Sequence, residues 1–307
     1  MPAAPRVSPR EFFTEAEWAP LSARSRWKGL ALVGHAWAVI LLAGAAAVVW
    51  PILIPLAIMV IGTRQLGLAI LMHEAAHAAL HPNLKLNDRV GHWLCAVPIG
   101  ASLNAYRPYH LSHHKYAQNA EDPDLVLSAP FPVTRASLRR KMLRDLTGQT
   151  FVKQRILAPR SAAKTGGHDY DAVVVAGSVL PFLAVNAALL VACALLGVWW
   201  AFFVLWLLPM ATWFPLVTRL RNIAEHACVE RSASDALRAA RTTRAAWWER
   251  ALIAPYWVNF HGEHHLFMHL PCWSLPKAHR LLEAKGVTAR MEVRPGYRDV
   301  LRTASAA

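Results

Sequence analysis

Four short clusters hold most of the 15 histidines in this sequence of 307 residues. They read HEAAH at 73–77, HLSHH at 110–114, NIAEH at 222–226 and HGEHH at 261–265. Imidazole binds iron, copper, zinc and nickel, so histidines clustered at ligand spacing indicate a metal site. An ordinary solvated surface explains a single histidine, but it does not explain two H-x-x-H-H triplets and an H-x-x-x-H in one chain.

The spacing within the clusters indicates how many ions they serve. Residues four apart lie on one face of a helix, so HEAAH and NIAEH each direct two side chains toward a common site. Neighbouring histidines in H-x-x-H-H diverge by about 100° on a helix, so such a triplet can give one ligand to each of two adjacent metals. A structural zinc takes only four ligands. We therefore predict two metals, with four or five protein ligands each and open positions for oxygen or water. The predicted ligands are His73, His77, His110, His113, His114, His226, His261, His264 and His265.

Other polar side chains near the clusters are candidates for orienting these ligands. A ligating histidine usually gives its second ring N–H to a carboxylate or a carbonyl. His81 continues the spacing of His73 and His77, and is a candidate ligand or orienting group. His279 has no partner at ligand spacing and is expected to matter only structurally. A solvated helix face is the alternative role for each acidic residue. The candidate orienting residues are His81, Glu74, Asp122, Asp124, Glu225 and Glu263.

Two long apolar stretches predict how the clusters are positioned. Hydrophobic residues make up 55% of the chain and charged residues 17%, against roughly 25% charged in soluble domains. One bilayer crossing takes about 20 residues, so each stretch fits two helices and a turn, at Trp50-Pro51 and at Gly197. Buried hairpins of a soluble protein would keep a polar face, which these stretches lack. The predicted spans are 29–50, 51–72, 172–196 and 198–218.

The excess of basic residues orients these spans. Lys and Arg number 33 against 19 acidic residues, a formal charge of +14, which fits a nucleic-acid binder or a membrane protein. All but one of the cations lie in 1–28, 73–171 and 218–307, and the remaining one is Arg64. The positive-inside rule then places both termini and every histidine cluster in the cytoplasm, so no nucleic-acid partner is expected. The polar first 28 residues argue against a cleavable signal peptide.

With these clusters in place, the sequence resembles the integral-membrane fatty acid desaturases and their hydroxylase relatives. The resemblance covers about residues 30–285 and rests on HEAAH, HLSHHKYAQNAEDPDL, NIAEH and HGEHHLFMHLPCWSLPKAH. It implies a non-haem di-iron centre held by the histidines, with Asn222 holding or orienting a water at one metal. The expected fold is an all-α polytopic membrane protein with four spans in two hairpins and a cytoplasmic helical cap. The expected division is an N-terminal segment 1–28, a membrane domain 29–285 and a C-terminal tail 286–307.

The resemblance also implies the reaction. Members of the family use O2 and two external electrons to abstract hydrogen from an unactivated C–H bond of a fatty acyl or lipid chain. Loss of a second hydrogen gives a double bond, the outcome expected here. The alternative is a related lipid, carotenoid or alkane hydroxylase or ketolase. The sequence has no C-x-x-C pair and no room for an appended cytochrome, so the electrons are expected from a ferredoxin-like protein or a small cytochrome.

A membrane metal transporter or sensor is the non-enzymatic alternative. It predicts histidines lining a path through the spans, whereas only His35 lies deep within one. We expect an enzyme embedded in membrane lipid, in the inner membrane if the source is bacterial.

Overall fold

Helix is the dominant secondary structure of the computed structural model, which describes residues 6–154, 179–229 and 235–306. Apolar segments favour helix because a helix forms the hydrogen bonds of its backbone N–H and C=O groups within the segment. In the described part, the α-helices are α1 Glu15–Ser22, α2 Lys28–Val49, α3 Ile54–Ala76, α4 Leu84–Val90, α5 Leu103–Tyr116, α6 Leu125–Ser128, α7 Arg135–Leu146, α8 Gln149–Val152, α9 Val179–Leu195, α10 Trp199–Ala201, α11 Leu208–Ala211, α12 Trp213–His226, α13 Trp247–Leu252, α14 His261–Leu266, α15 Leu275–Ala284 and α16 Tyr297–Ala304.

Shorter elements connect these helices. The two strands are β1 Arg241–Thr243 and β2 Glu292–Arg294, which pair in parallel with Thr242 opposite Val293. Single turns of 3-10 helix lie at Pro9–Glu11, Pro51–Leu53, Val97–Ile99, Ala236–Arg238, Pro255–Trp257, Cys272–Ser274 and Val287–Arg290, and π-helical turns lie at Gly91–Ala96 and Phe202–Leu207.

Three continuous helical stretches are long and apolar enough to cross a membrane. They cover Lys28–Val49, Pro51–Ala76 and Trp199–His226. The fourth apolar helix, α9, has 17 described residues, and the predicted span 172–196 begins in residues that lie outside the described ones. The predicted turns are present, because Pro51 opens a new helical turn and Gly197 adopts φ +75°.

Two of these stretches run further than their apolar sequence predicts. The second stretch was expected to end at residue 72 and the fourth at residue 218, yet the helices continue to Ala76 and His226. A helix can continue beyond its apolar sequence where other parts of the protein cover it. In α3, Ala57 is the single buried residue before Ile61, whereas nearly every residue from Ile61 to Ala76 is buried.

The chain termini pack against this framework. Residues 286–307, expected to form a tail, supply β2 and α16, and α16 packs against α12. Near the N-terminus, Phe13 and Leu21 are buried in one cluster with residues of α15. Both ends of the described chain therefore help to hold the helices that carry the histidines.

Glycine permits the close approach of α2 to the end of α3. A Cβ on Gly29 would lie 2.0 Å from the carbonyl oxygen of Leu80, a contact that requires backbone movement. On the same helix, a Cβ on Gly34 would meet no atom within 4 Å.

We expect Gly29→Ala to lower the melting temperature of the detergent-purified protein. Gly34→Ala serves as the matched control and should leave that temperature unchanged or raise it, because Ala favours helix over Gly by about 1 kcal/mol. The melting temperature is read from intrinsic fluorescence. Equal effects of the two substitutions would contradict the proposed packing of α2.

Candidate metal centre

Nine histidines converge in two adjacent groups. Within each group, one ring nitrogen from every histidine lies within 4.8 Å of the others, so each group is capable of holding a metal ion. Adjacent histidines of the two triplets fall in different groups, because their side chains diverge around the helix. The first group is His73, His77, His110, His114 and His264; the second is His113, His226, His261 and His265.

Contacts between Nε2 atoms define the first group. The Nε2 of His110 lies 2.9 Å from that of His77 and 3.1 Å from that of His114, which in turn lies 3.0 Å from that of His264. Ligand nitrogens about 2.1 Å from a shared ion and 90° apart are about 3.0 Å from each other; a tetrahedral site would separate them by about 3.4 Å. The spacing therefore fits neighbouring positions of an ion with five or six ligands.

The second group has the same spacing. The Nε2 of His113 lies 3.2 Å from that of His265, and the Nε2 of His261 lies 2.9 Å from that of His226. Its four histidines leave more of an ion's coordination positions to other ligands than the five of the first group do. The two groups abut, with the rings of His114 and His265 stacked at 4.3 Å between centroids.

Without a cation, the clustered ring nitrogens cannot all be satisfied by hydrogen bonds to one another. A ring nitrogen carries either one hydrogen or one lone pair, yet the Nε2 atoms of His110 and His114 each face two other Nε2 atoms. The Nε2 of His73 is buried with no hydrogen-bond partner at all. A metal ion at the centre of the group would accept all of these lone pairs, so the donor set fits a bound metal.

The surroundings keep most of these imidazoles neutral. Burial, followed by the charge of His269, lowers the pKa of His77 to about 3. Burial and neighbouring imidazoles also lower the pKa well below the usual range in five others: His110, His114, His261, His264 and His265. His113 is the exception, because the carboxylates of Asp124 and Asp122 outweigh the effect of burial and raise its pKa. Neutral imidazole is the form that binds metal.

The clustered histidines lie at the C-terminal ends of α3 and α12 and within α5 and α14. His73 lies in the last turn of α3 and His77 directly follows that helix, while His226 is the last residue of α12. The two triplets lie within α5 and α14. Both helix ends are fixed by a guanidinium group, an arrangement that the sequence alone did not suggest.

Arg107 and Arg241 cap these two helix ends. Arg107 donates to the carbonyl oxygens of Ala76 at 3.1 Å and Ala75 at 2.9 Å. Arg241 is buried and donates to the carbonyl of Ala227 at 2.8 Å and to the last turn of α12. Free carbonyls and the helix dipole favour a cation at a helix C-terminus. The caps hold in place the last turns, which carry His73 and His226.

Carboxylates contact the second nitrogen of three histidines. The Nδ1 of His113 lies 2.7 Å from Asp122, whose carboxylate also accepts backbone N–H bonds from Gln118 and Asp124. Glu225 lies 3.3 Å from the Nδ1 of His261. Such contacts fix the ring orientation and leave Nε2 for the metal.

Glu74 and Asp124 contact their histidines less closely. Glu74 lies 3.5 Å from the Nδ1 of His73 and accepts the backbone N–H of Cys272. Asp124 lies 3.7 Å from the Nδ1 of His113 and accepts the hydroxyl of Tyr109 at 2.7 Å. Both carboxylates therefore help to fix the chain around the histidine groups.

Glu263 and His81 occupy other positions. Glu263 contacts His279 at 2.6 Å and accepts the hydroxyl of Thr242, so it fastens α14 to α15 and β1. His279, expected to be structural, is the partner in this contact. The Nδ1 of His81 accepts the backbone N–H of Asn83 at 2.9 Å, and His81 belongs to neither histidine group.

Gln118 contacts His226, and the sequence did not predict this contact. Its side-chain amide lies 3.1 Å from the Nδ1 of His226, and its backbone adopts φ +64°. A side-chain amide can present either its nitrogen or its oxygen, and with the oxygen toward the ring it accepts the Nδ1–H of His226. The residue stands four positions after His114, inside HLSHHKYAQNAEDPDL, and only the fold reveals that it meets α12.

A cavity of about 70 Å³ adjoins the second group and reaches the first group at His110. His110, His113, His226 and His261 line it together with Asn222. The structure thus places Asn222 on the open side of the histidines. A second cavity, of about 190 Å³, shares five lining residues with the first: Tyr106, Leu127, Thr218, Arg221 and Asn222. Its lining also includes the apolar side chains of Leu66, Met72, Ile99, Met210 and Phe214.

Comparison with known proteins agrees with this geometry. A relative, dihydrorhizobitoxine desaturase from Bradyrhizobium elkanii, is 27% identical over 256 residues, which cover 81% of this chain and 70% of the relative. The family model described as Fatty acid desaturase matches residues 48–296, a range that contains all nine clustered histidines. The chain therefore belongs to the fatty acid desaturase family.

Proposed function

We propose that the protein is a membrane-bound desaturase that uses O2 and a non-haem di-iron centre to introduce a double bond into an acyl chain. The family supports an oxidoreductase of the desaturase and hydroxylase type. The observation that carries the proposal is the pair of groups, with five and four largely buried imidazoles, beside one cavity. When bound, two irons would supply O2 activation, using electrons from an external donor.

The protein residues would hold and orient this centre. We propose the nine clustered histidines as ligands, with Asn222 near the open positions of the second group. Asp122 would keep the Nδ1–H of His113 directed away from the metal, and Gln118 would do the same for His226. Five and four histidines would leave coordination positions of the two ions open to O2. The burial of these neutral ligands would limit access of water.

The two cavities, which share five lining residues, suit an amphiphilic chain. Apolar side chains such as Leu66, Met72 and Phe214 would contact the methylene groups of the substrate. Arg219 lines the same cavity, bonded to the buried carboxylate of Asp145. An unactivated C–H bond has no polar handle, so the shape of the channel would select the position of reaction.

The charge distribution supports one orientation in the membrane. Both chain ends and all histidine clusters lie in the basic blocks of the sequence, and the positive-inside rule assigns such blocks to the cytoplasm. We propose that the histidine groups face the cytoplasm, where an external ferredoxin-like protein or small cytochrome would deliver electrons.

Product analysis tests the proposed reaction. The protein is expressed in a host with simple lipids, and the lipid pool is analysed by mass spectrometry; dihydrorhizobitoxine, for which the relative is named, is supplied in parallel. We expect a product 2 Da lighter than its substrate, and no such product from His113→Ala, whose helical content by circular dichroism should match that of the wild type. A product that gains one oxygen and no double bond would replace the desaturase with the alternative hydroxylase.

Metal analysis tests the two groups separately. We expect about two irons per chain in the wild type and about one in His226→Ala, since that variant removes one of four ligands from the second group. His92→Ala is the matched control because His92 lies outside both groups. The measurement is iron per protein by mass spectrometry after dialysis. One iron per active wild-type chain would contradict the two-metal assignment.

The Asp122 carboxylate is predicted to position His113 without touching the metal. Asp122→Asn keeps the shape but removes the charge, and loss of such an orienting group typically costs 10–100-fold in metal affinity or activity. We expect a loss in this range, measured by competition for iron with a chelator. Glu283→Gln, which breaks an exposed ion pair with Arg244, should have no effect. An unchanged iron affinity in Asp122→Asn would refute this role.

A further inference from the structure

A third cavity lies away from the histidine groups. It has a volume of about 390 Å³ and lies between α2, α3, α13 and the turn Pro255–Trp257. Its lining residues differ from those of the cavities beside the histidines. We call it the arginine groove, and its lining includes Leu32, His35, Arg64, Trp247, Arg250 and Tyr256.

Arg64 gives this groove an unusual charge. The residue is only 8% exposed, and it donates to the carbonyl of Ala251 at 3.0 Å. Its guanidinium carbon lies 5.4 Å from the centre of the Tyr256 ring. Among the described residues, no acidic side chain forms an ion pair with Arg64. A buried charge is costly unless an opposite charge offsets it, so the groove favours an anion.

The rest of the lining adds positive charge and no negative charge. Arg250 is exposed and lines the same groove. The neighbouring carboxylate of Glu249 accepts the backbone N–H groups of Ala246 and Tyr297, and Glu249 is not part of the lining. Two guanidinium groups therefore face one cavity, and guanidinium matches phosphate oxygens through paired hydrogen bonds.

His35 and Arg64 fall within the predicted spans 29–50 and 51–72, but the burial along α3 places the arginine groove at the edge of the lipid-facing region. Arg64 lies just after Ile61, where α3 passes from a mostly exposed apolar part into its buried part. Trp247 and Trp248, beside the groove, are 75% and 47% exposed. Exposed tryptophans are typical of the boundary between lipid tails and head groups.

The backbone around the groove is held in a costly conformation. Tyr256 and Trp257 both adopt positive φ, +53° and +59°, which bulky residues rarely do. This turn places the ring of Tyr256 against Gly67 and its hydroxyl 3.0 Å from the Nδ1 of His35. Backbone strain of this kind concentrates at ligand sites.

We propose that the arginine groove binds the phosphate group of an anionic membrane phospholipid. Arg64 and Arg250 would bind the phosphate oxygens, while apolar side chains such as Leu32 would contact the start of the acyl chains. The cytoplasmic leaflet, where the charge rule places this face of the protein, is rich in anionic lipid. The groove would thereby fix the depth of the protein in the bilayer.

Lipid titration of the detergent-purified protein tests the proposal. The melting temperature is followed as phosphatidylglycerol is added to the micelles, with phosphatidylcholine and inorganic phosphate in separate titrations. We expect phosphatidylglycerol to stabilise the wild type most. In Arg250→Gln the half-saturating lipid fraction should rise about 10- to 100-fold, as for loss of one hydrogen bond to a charged group. Arg140→Gln, an exposed arginine on α7, is the matched control and should titrate like the wild type.

Two results would overturn the proposal. One is an equal response to phosphatidylglycerol in the wild type, in Arg250→Gln and in a second variant, Arg64→Gln. The other is stabilisation by inorganic phosphate, lost in Arg250→Gln, with no response to the lipid, which would make the groove a site for a free anion. Because melting temperature is the readout, neither result depends on whether the protein is a desaturase.

Discussion

Nine largely buried imidazoles, with five pairs of their Nε2 atoms 2.9–3.2 Å apart, are the constraint on which the rest of the structure depends. The Nε2 atoms of His77, His110, His114 and His264 form a row in which each inner atom faces two others. Because each nitrogen carries only one hydrogen or one lone pair, these contacts cannot all be hydrogen bonds. Burial disfavours protonation, so this conflict persists until a cation occupies each group. Folding and metal binding are coupled in such a site.

The fold meets this constraint by fixing the segments that carry the ligands. Arg107 and Arg241 neutralise the ends of α3 and α12, and Glu263 joins α14 to its neighbours through His279. Apolar helices continue into the protein-covered region and end at the histidines. The same fold also forms a largely apolar cavity beside the histidine groups and, apart from it, a groove lined by two arginines.

The division of the histidines between two groups follows from helical periodicity, which determines where adjacent side chains point. His113 and His114, like His264 and His265, separate into different groups, as their angular divergence requires. Three membrane-length helices and both turns also followed from composition. The contacts of Gln118, Arg107 and Arg241 could not be predicted, because each joins segments that only the fold brings together. Arg64 illustrates the same limit: the sequence places it within the second predicted span, and only the fold shows that it packs against Tyr256.

X-ray diffraction at the iron absorption edge tests whether each of the two histidine groups binds an iron. We expect two anomalous peaks in crystals of the iron-loaded protein, one surrounded by the five histidines of the first group and one by the four of the second. A single peak, or two peaks bound by side chains other than these histidines, would contradict this expectation.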